Sequence, residues 1–125
     1  MSNVLLIGFA AETIPGFEPG AVQAQLDEGS RNFARQGLTE DQCLISFDPP
    51  YDTAKIAEHL QQRDYDCVVV GGGIRKPAEL LELFQAVVNL VHWHQPHAAI
   101  SFNSGPTDSA DWVLKALEQQ RQNGR

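Results

Sequence analysis

Read for its apolar and polar positions alone, the chain falls into four short apolar runs separated by stretches of helical period. Asn3 to Phe9, Gln42 to Phe47, Cys67 to Gly71 and Ala98 to Phe102 have the length and composition of buried strands. Between them, Val22, Leu26, Phe33 and Ala34 give a helix stripe closed by Gly37. Ile56, Ala57 and Leu60 mark a shorter helix from about Thr53 to about Arg63. A third helix is predicted from about Pro77 to about Trp93, and a last one carries Trp112, Val113, Ala116 and Leu117 on one side. Strands alternating with helices imply a (βα)4 chain: a mostly parallel sheet with right-handed crossovers and helices on both faces.

The same pattern predicts the strand order. The first and third runs are unbroken apolar stretches, whereas the second and fourth carry Ser46 and Ser101 among apolar neighbours. Continuous runs belong at the centre of a parallel sheet. The expected order is therefore 2-1-3-4, a flavodoxin-like three-layer α/β sandwich with its topological switch point between the first and third strands. Ligands of such sheets bind at the switch point, outside the carboxyl ends of the strands. The loops that meet there are Gly8 to Gly20 and Gly71 to Pro77, with Asn103 to Asp108 beside them.

Size and charge narrow the partners. A chain of 125 residues is read as one domain, 1–125, long enough to bury a core without staples. Nine Lys and Arg against sixteen Asp and Glu leave a formal charge of -7, which argues against nucleic acid, whose affinity rests on many cation–phosphate contacts. Cys43 and Cys67 each head an apolar strand without redox or zinc spacing, and read as small buried hydrophobes in a reducing compartment. Val4 to Phe9 is too short for a membrane span, and its flank lacks the basic residues of a signal peptide. A cytoplasmic protein with no membrane partner is expected, with disorder confined to the ends and above all to the polar tail Gln119 to Arg125.

Candidate chemistry concentrates at Gly71-Gly72-Gly73-Ile74-Arg75-Lys76-Pro77, where a strand runs through three glycines toward a helix. Three glycines permit positive φ and close approach of a ligand to the backbone, and Arg75 and Lys76 are the only adjacent basic pair in the chain. A small anion is the expected ligand. On the plainer alternative the glycines only allow tight packing, with Arg75 paired to Glu12, Asp48 or Asp108. Neither the Walker spacing nor the dinucleotide fingerprint is present. The first loop lacks the Ser/Thr-rich phosphate turn of a flavodoxin, and Gly71 stands where a phosphorelay receiver would carry its Asp. No cofactor is expected.

The second candidate turn is Phe102-Asn103-Ser104-Gly105-Pro106-Thr107-Asp108. Asn103 and Ser104 have the groups to orient a polar ligand, Thr107 or Asp108 caps the following helix, and Asp108 or Glu12 is the candidate base if there is turnover. The first loop is long enough for a flap, although Glu12 and Glu18 would repel an anion. Phe9, Phe47 and Phe102 end three strands, and either plug the core or floor a crevice. His92, His94 and His97 cluster where a helix ends, at the opposite edge from the crevice, and His59 falls off its helix's apolar stripe; none is read as a metal ligand or a catalytic partner for Ser104.

The helix 77–93 has a polar stripe of only Glu82, Gln85, Asn89 and His92. Its excess of apolar positions either packs under the last helix and fourth strand or meets a second subunit, with Leu83 and Leu90 as the interface positions of a homodimer.

Residues 71 to 110 resemble a family of small uncharacterised α/β proteins that share a G-G-G-[IV]-R turn, an L-F…[VI]-N-x-[VI]-H helix and an A-x-I-x-F-N-[ST]-x-P-x-D segment. The matching positions are Gly71, Gly72, Gly73, Arg75, Asn89, His92, Asn103, Ser104, Pro106 and Asp108. The resemblance implies the fold and pairs the two turns, and it implies no chemistry. The resulting expectation is a small phosphorylated or carboxylated metabolite held by Gly71, Gly72, Gly73, Arg75, Lys76, Asn103, Ser104, Thr107 and Asp108. The alternative is a non-catalytic interaction module working through the helix 77–93.

Overall fold

The computed structural model describes residues 2–124. Four strands, β1 (Asn3–Phe9), β2 (Thr39–Ile45), β3 (Cys67–Val70) and β4 (Ala99–Phe102), form one parallel sheet in the order β2-β1-β3-β4. Among the described residues, five α-helices accompany it: α1 (Pro19–Arg35), α2 (Thr53–Leu60), α3 (Gly72–Arg75), α4 (Leu81–His94) and α5 (Ser109–Gln122). The arrangement is the flavodoxin-like three-layer sandwich expected from the hydrophobic pattern.

The period of the strands sorts the core into two layers. Leu5, Ile7, Val68 and Val70 face α2 and α4, where they meet Ile56, Leu60, Val87 and Val91. Val4, Leu6, Cys67 and Val69 face the other way, against Phe33 of α1 and Val113 of α5. Both central strands are buried on both faces, which is why they are written as unbroken apolar runs. Burial pushes the Cys43 thiol up to about 11 and the Cys67 thiol up to about 12, so each behaves as a small core hydrophobe.

Helix ends follow local chemistry. Glu18 accepts from the Gly20 and Ala21 N–H groups at the start of α1, and Gly37 beyond its end adopts φ +72°, a conformation that favours glycine. Asp52 caps α2 through the Lys55 N–H.

Three boundaries differ from expectation. β2 begins at Thr39 rather than Gln42, because pairing of Asn3 to Leu6 with Thr39 to Gln42 extends the edge strand upstream of its apolar run. Its polar residues find partners there: Ser30 Oγ donates to Glu40 at 2.7 Å and Tyr65 OH donates to Asp41 at 2.8 Å. The single helix predicted over 77–93 is instead a 3-10 turn at Ala78–Leu80 followed by α4, with the one-turn helix α3 already complete before Pro77. Pro77, at φ -68°, ψ 125°, is extended and separates α3 from that 3-10 turn. In the tail, α5 continues to Gln122, and Gln120 donates to the His97 carbonyl, so the helix extends through most of the segment expected to fray. Arg125 lies outside the described residues.

The excess apolar surface of α4 turns inward. Leu83, Val87 and Val91 are buried, and Phe84 and Leu90 pack against the same cluster. This corrects the placing of Leu83 at an interface: it is 6% exposed and belongs to the core. His92 and His94 end α4 beside Gln95, whose amide donates to the Leu60 and Arg63 carbonyls and accepts from the Tyr65 N–H. That buried glutamine ties α4 to the end of α2, at the edge of the sheet away from the switch point.

Candidate functional site

At the carboxyl ends of β1 and β3 the sheet order reverses, and a cavity of about 550 Å³ opens there. That volume lies within the range of small-molecule sites. Its floor is Leu6 and Gly8 of β1 with Leu44 of β2. Leu6 and Gly8 project toward the α1 layer, and a Cβ on Gly8 would meet only the Leu44 side chain, at 3.7 Å. The missing side chain at Gly8 therefore helps leave the cavity open. Val22, Gln25 and Leu26 of α1 make one wall, and Ile14, Pro15 and Phe17 of the β1–α1 loop complete the lining. Gly16 in that loop has φ +80°, which the Pro15-Gly16 turn requires, and Phe17 is 66% exposed.

The opposite wall is the pair of turns that sequence singled out. Gly71, Gly72, Gly73, Lys76, Asn103 and Ser104 all line it. The two turns are stitched directly to each other: the Gly72 N–H donates to Asn103 Oδ1 at 2.8 Å, Asn103 Nδ2 donates to Ser109 Oγ at 2.9 Å, and Lys76 Nζ donates to the Ser104 carbonyl. Asn103 is buried and its amide is committed to these partners.

The glycines differ from their expected conformation. None of Gly71, Gly72 and Gly73 has positive φ; Gly71 is extended, at φ -66° and ψ 153°, and the other two begin α3. What they provide is close approach. A Cβ on Gly71 would lie 3.1 Å from the Ile7 carbonyl, and one on Gly72 would lie 3.3 Å from Asn103 Oδ1.

Arg75 faces away from the cavity. Its guanidinium donates to the Asn103 carbonyl at 2.7 Å and lies 5.8 Å from the centre of the Phe102 ring. It borders a separate depression of about 370 Å³ over β4, shared with Trp112 and Lys115. None of Glu12, Asp48 and Asp108, the carboxylates considered as its partners, forms an ion pair with it among the described residues.

Asp108 occupies the N-cap position of α5, but its carboxylate turns back into the preceding turn. It accepts from the Ser104 N–H and hydroxyl, the Gly105 N–H and Trp112 Nε1. Burial alone would raise its pKa, but these hydrogen bonds prevail and hold the carboxyl below its ordinary range. Neither Asp108 nor Thr107 lines the cavity; the Thr107 carbonyl accepts from Asn32 Nδ2 at 3.4 Å.

Three features of the cavity bear on expectations about the first loop. Phe9 and Phe47 line it, with ring centres 4.8 Å apart, while Phe102 stands outside beside Phe84. Glu18 is turned onto the α1 N-terminus, and neither it nor Glu12 lines the cavity. Lys76 is thus the one charged side chain among the described lining residues. The apolar wall of Leu6, Val22, Leu26 and Leu44 escaped sequence reasoning, because each residue reads there as ordinary core; Gly8 inside an apolar strand was the available signal.

No three His, Cys, Asp or Glu side chains come together as a metal site among the described residues. No described helix is long and apolar enough to cross a membrane. No family model and no curated protein matches the chain, so the chemistry of the site rests on the residues described above.

Proposed function

We propose that the protein binds a small organic anion in the switch-point cavity, between the Gly71–Pro77 and Asn103–Pro106 turns. The observation that carries this reading is the charge of the lining: in a chain of formal charge -7, the cavity has one charged side chain, and it is the cation Lys76. The ammonium has three N–H donors, and the Ser104 carbonyl takes one of them. Lys76 takes the anion-binding role, while Arg75 and Asn103 hold the turns together behind it. Asp108 and Glu12, the carboxylates considered as a base, stand outside the lining, so the site is read as one of binding rather than turnover.

The alternative, an interaction module built on residues 77–93, has little free apolar surface, since Leu81 and Trp93 are the large hydrophobics exposed on that segment. The test is a thermal-shift screen of carboxylated and phosphorylated metabolites beside their neutral analogues. A ligand that binds only the native state raises the melting temperature by mass action. Anions should shift the wild type and fail to shift Lys76→Gln; neutral analogues acting as well as anions would overturn the reading.

A further inference from the structure

The lining is polarised, and its polarity describes the ligand. The one charged group, Lys76, stands on one wall with Asn103 and Ser104, while the floor and the opposite wall are Leu6, Val22, Leu26 and Leu44, with the neutral Gln25 amide the one polar side chain among them. Most of the polar wall is already spent. The Asn103 amide is bonded to Gly72 and Ser109, the Ser104 hydroxyl donates to Asp108, and the Arg75 guanidinium points to the other side of the turn. Lys76 retains two N–H donors beyond the one given to the Ser104 carbonyl.

Resting on the reading of the cavity as an anion site, we infer that its ligand is a monocarboxylate with an apolar body, the carboxylate at Lys76 and the body against the apolar residues of α1. One ammonium neutralises one carboxylate. A phosphate would bring up to two negative charges and three strong acceptor oxygens to a wall with a single cation, and would bury the remainder against leucines at a desolvation cost. The apolar floor favours the opposite design, in which burial of hydrocarbon supplies the affinity and the ion pair fixes orientation. Phe17, which lines the cavity while largely exposed, then has an apolar partner.

Isothermal titration of the full chain with acetate, butyrate, hexanoate and octanoate, and with octanol, inorganic phosphate and ribose phosphate, decides the matter. Affinity should rise about fourfold per methylene along the acids, as hydrocarbon burial predicts. Octanol should bind about tenfold more weakly than octanoate in the wild type and equally well in Lys76→Gln. Val22→Trp, or Gly8→Val if the first fails to fold by circular dichroism, should weaken octanoate about tenfold by filling the apolar end.

Phosphates that bind while chain length has no effect would overturn the monocarboxylate and leave the anion site standing. Equal binding of octanol and octanoate to the wild type would overturn both readings while keeping an apolar pocket. Heat from no compound at all would overturn the site itself.

Discussion

The backbone N–H of Gly72 donates to Asn103 Oδ1 at 2.8 Å, so the turn after β3 is held by a side chain from the turn after β4. The bond closes from both directions, since the Arg75 side chain returns to the Asn103 carbonyl. A single buried residue thereby fixes the polar wall of the cavity, and replacing it tests that role. Asn103→Ala leaves the Gly72 N–H and Ser109 hydroxyl without their partner, which should lower stability by about 2–3 kcal/mol and the melting temperature by about 6–12 °C. Urea and thermal denaturation measure this; a loss within about 0.5 kcal/mol would mean that water replaces the amide without penalty.

Arg75→Ala separates structure from binding. The guanidinium ties down the 103–104 backbone and lies over Phe102, so its loss should cost about 1–2 kcal/mol, more than an ordinary surface charge deletion. On the proposed function, the folded variant should still bind the anion through Lys76. A variant of wild-type stability that has lost anion binding would show Arg75 to be the ligand contact instead.

Gly29→Ala sets helix propensity against sterics. Alanine inside α1 is worth about 1 kcal/mol over glycine, but the new Cβ would sit 2.3 Å from the Pro106 carbonyl oxygen. Backbone at that distance must move, and a net destabilisation of about 2 kcal/mol or more is expected, read from denaturant midpoints. A stabilised variant would show that the 105–107 turn yields freely.

Asp108 predicts a pH dependence. Its folded-state pKa is depressed, so the stability it contributes is present above the unfolded value, near 3.8, and is lost as pH falls through the lower folded value. Asp108→Asn should therefore be less stable than wild type near neutral pH, and the gap should close below about pH 4. Denaturation of both proteins at several pH values measures it; a gap that stays constant down to about pH 2 would assign the effect to something other than this carboxylate's ionisation.

The sequence by itself determined the four strands, their order and the location of the switch point. Those properties follow from local pattern: Val4 to Ile7 and Cys67 to Val70 are apolar at every position, which only a strand covered on both faces needs. The two turns that line the cavity were legible for the same reason, since glycines at a strand's carboxyl end mark close backbone approach wherever the chain then goes.

Tertiary structure decided which groups the cavity sees. Arg75 and Lys76 are neighbours in sequence, yet one lines the large cavity and the other turns to the far side of the Asn103 turn. Their directions depend on carbonyls 28 residues away. The apolar wall depends equally on distant packing, because Leu26 and Leu44 line a cavity only where Gly8 leaves space beside them. Periodicity assigns a residue to a face of its own element; whether that face ends against a core or a void is set by the elements that meet it, and no local pattern carries that information.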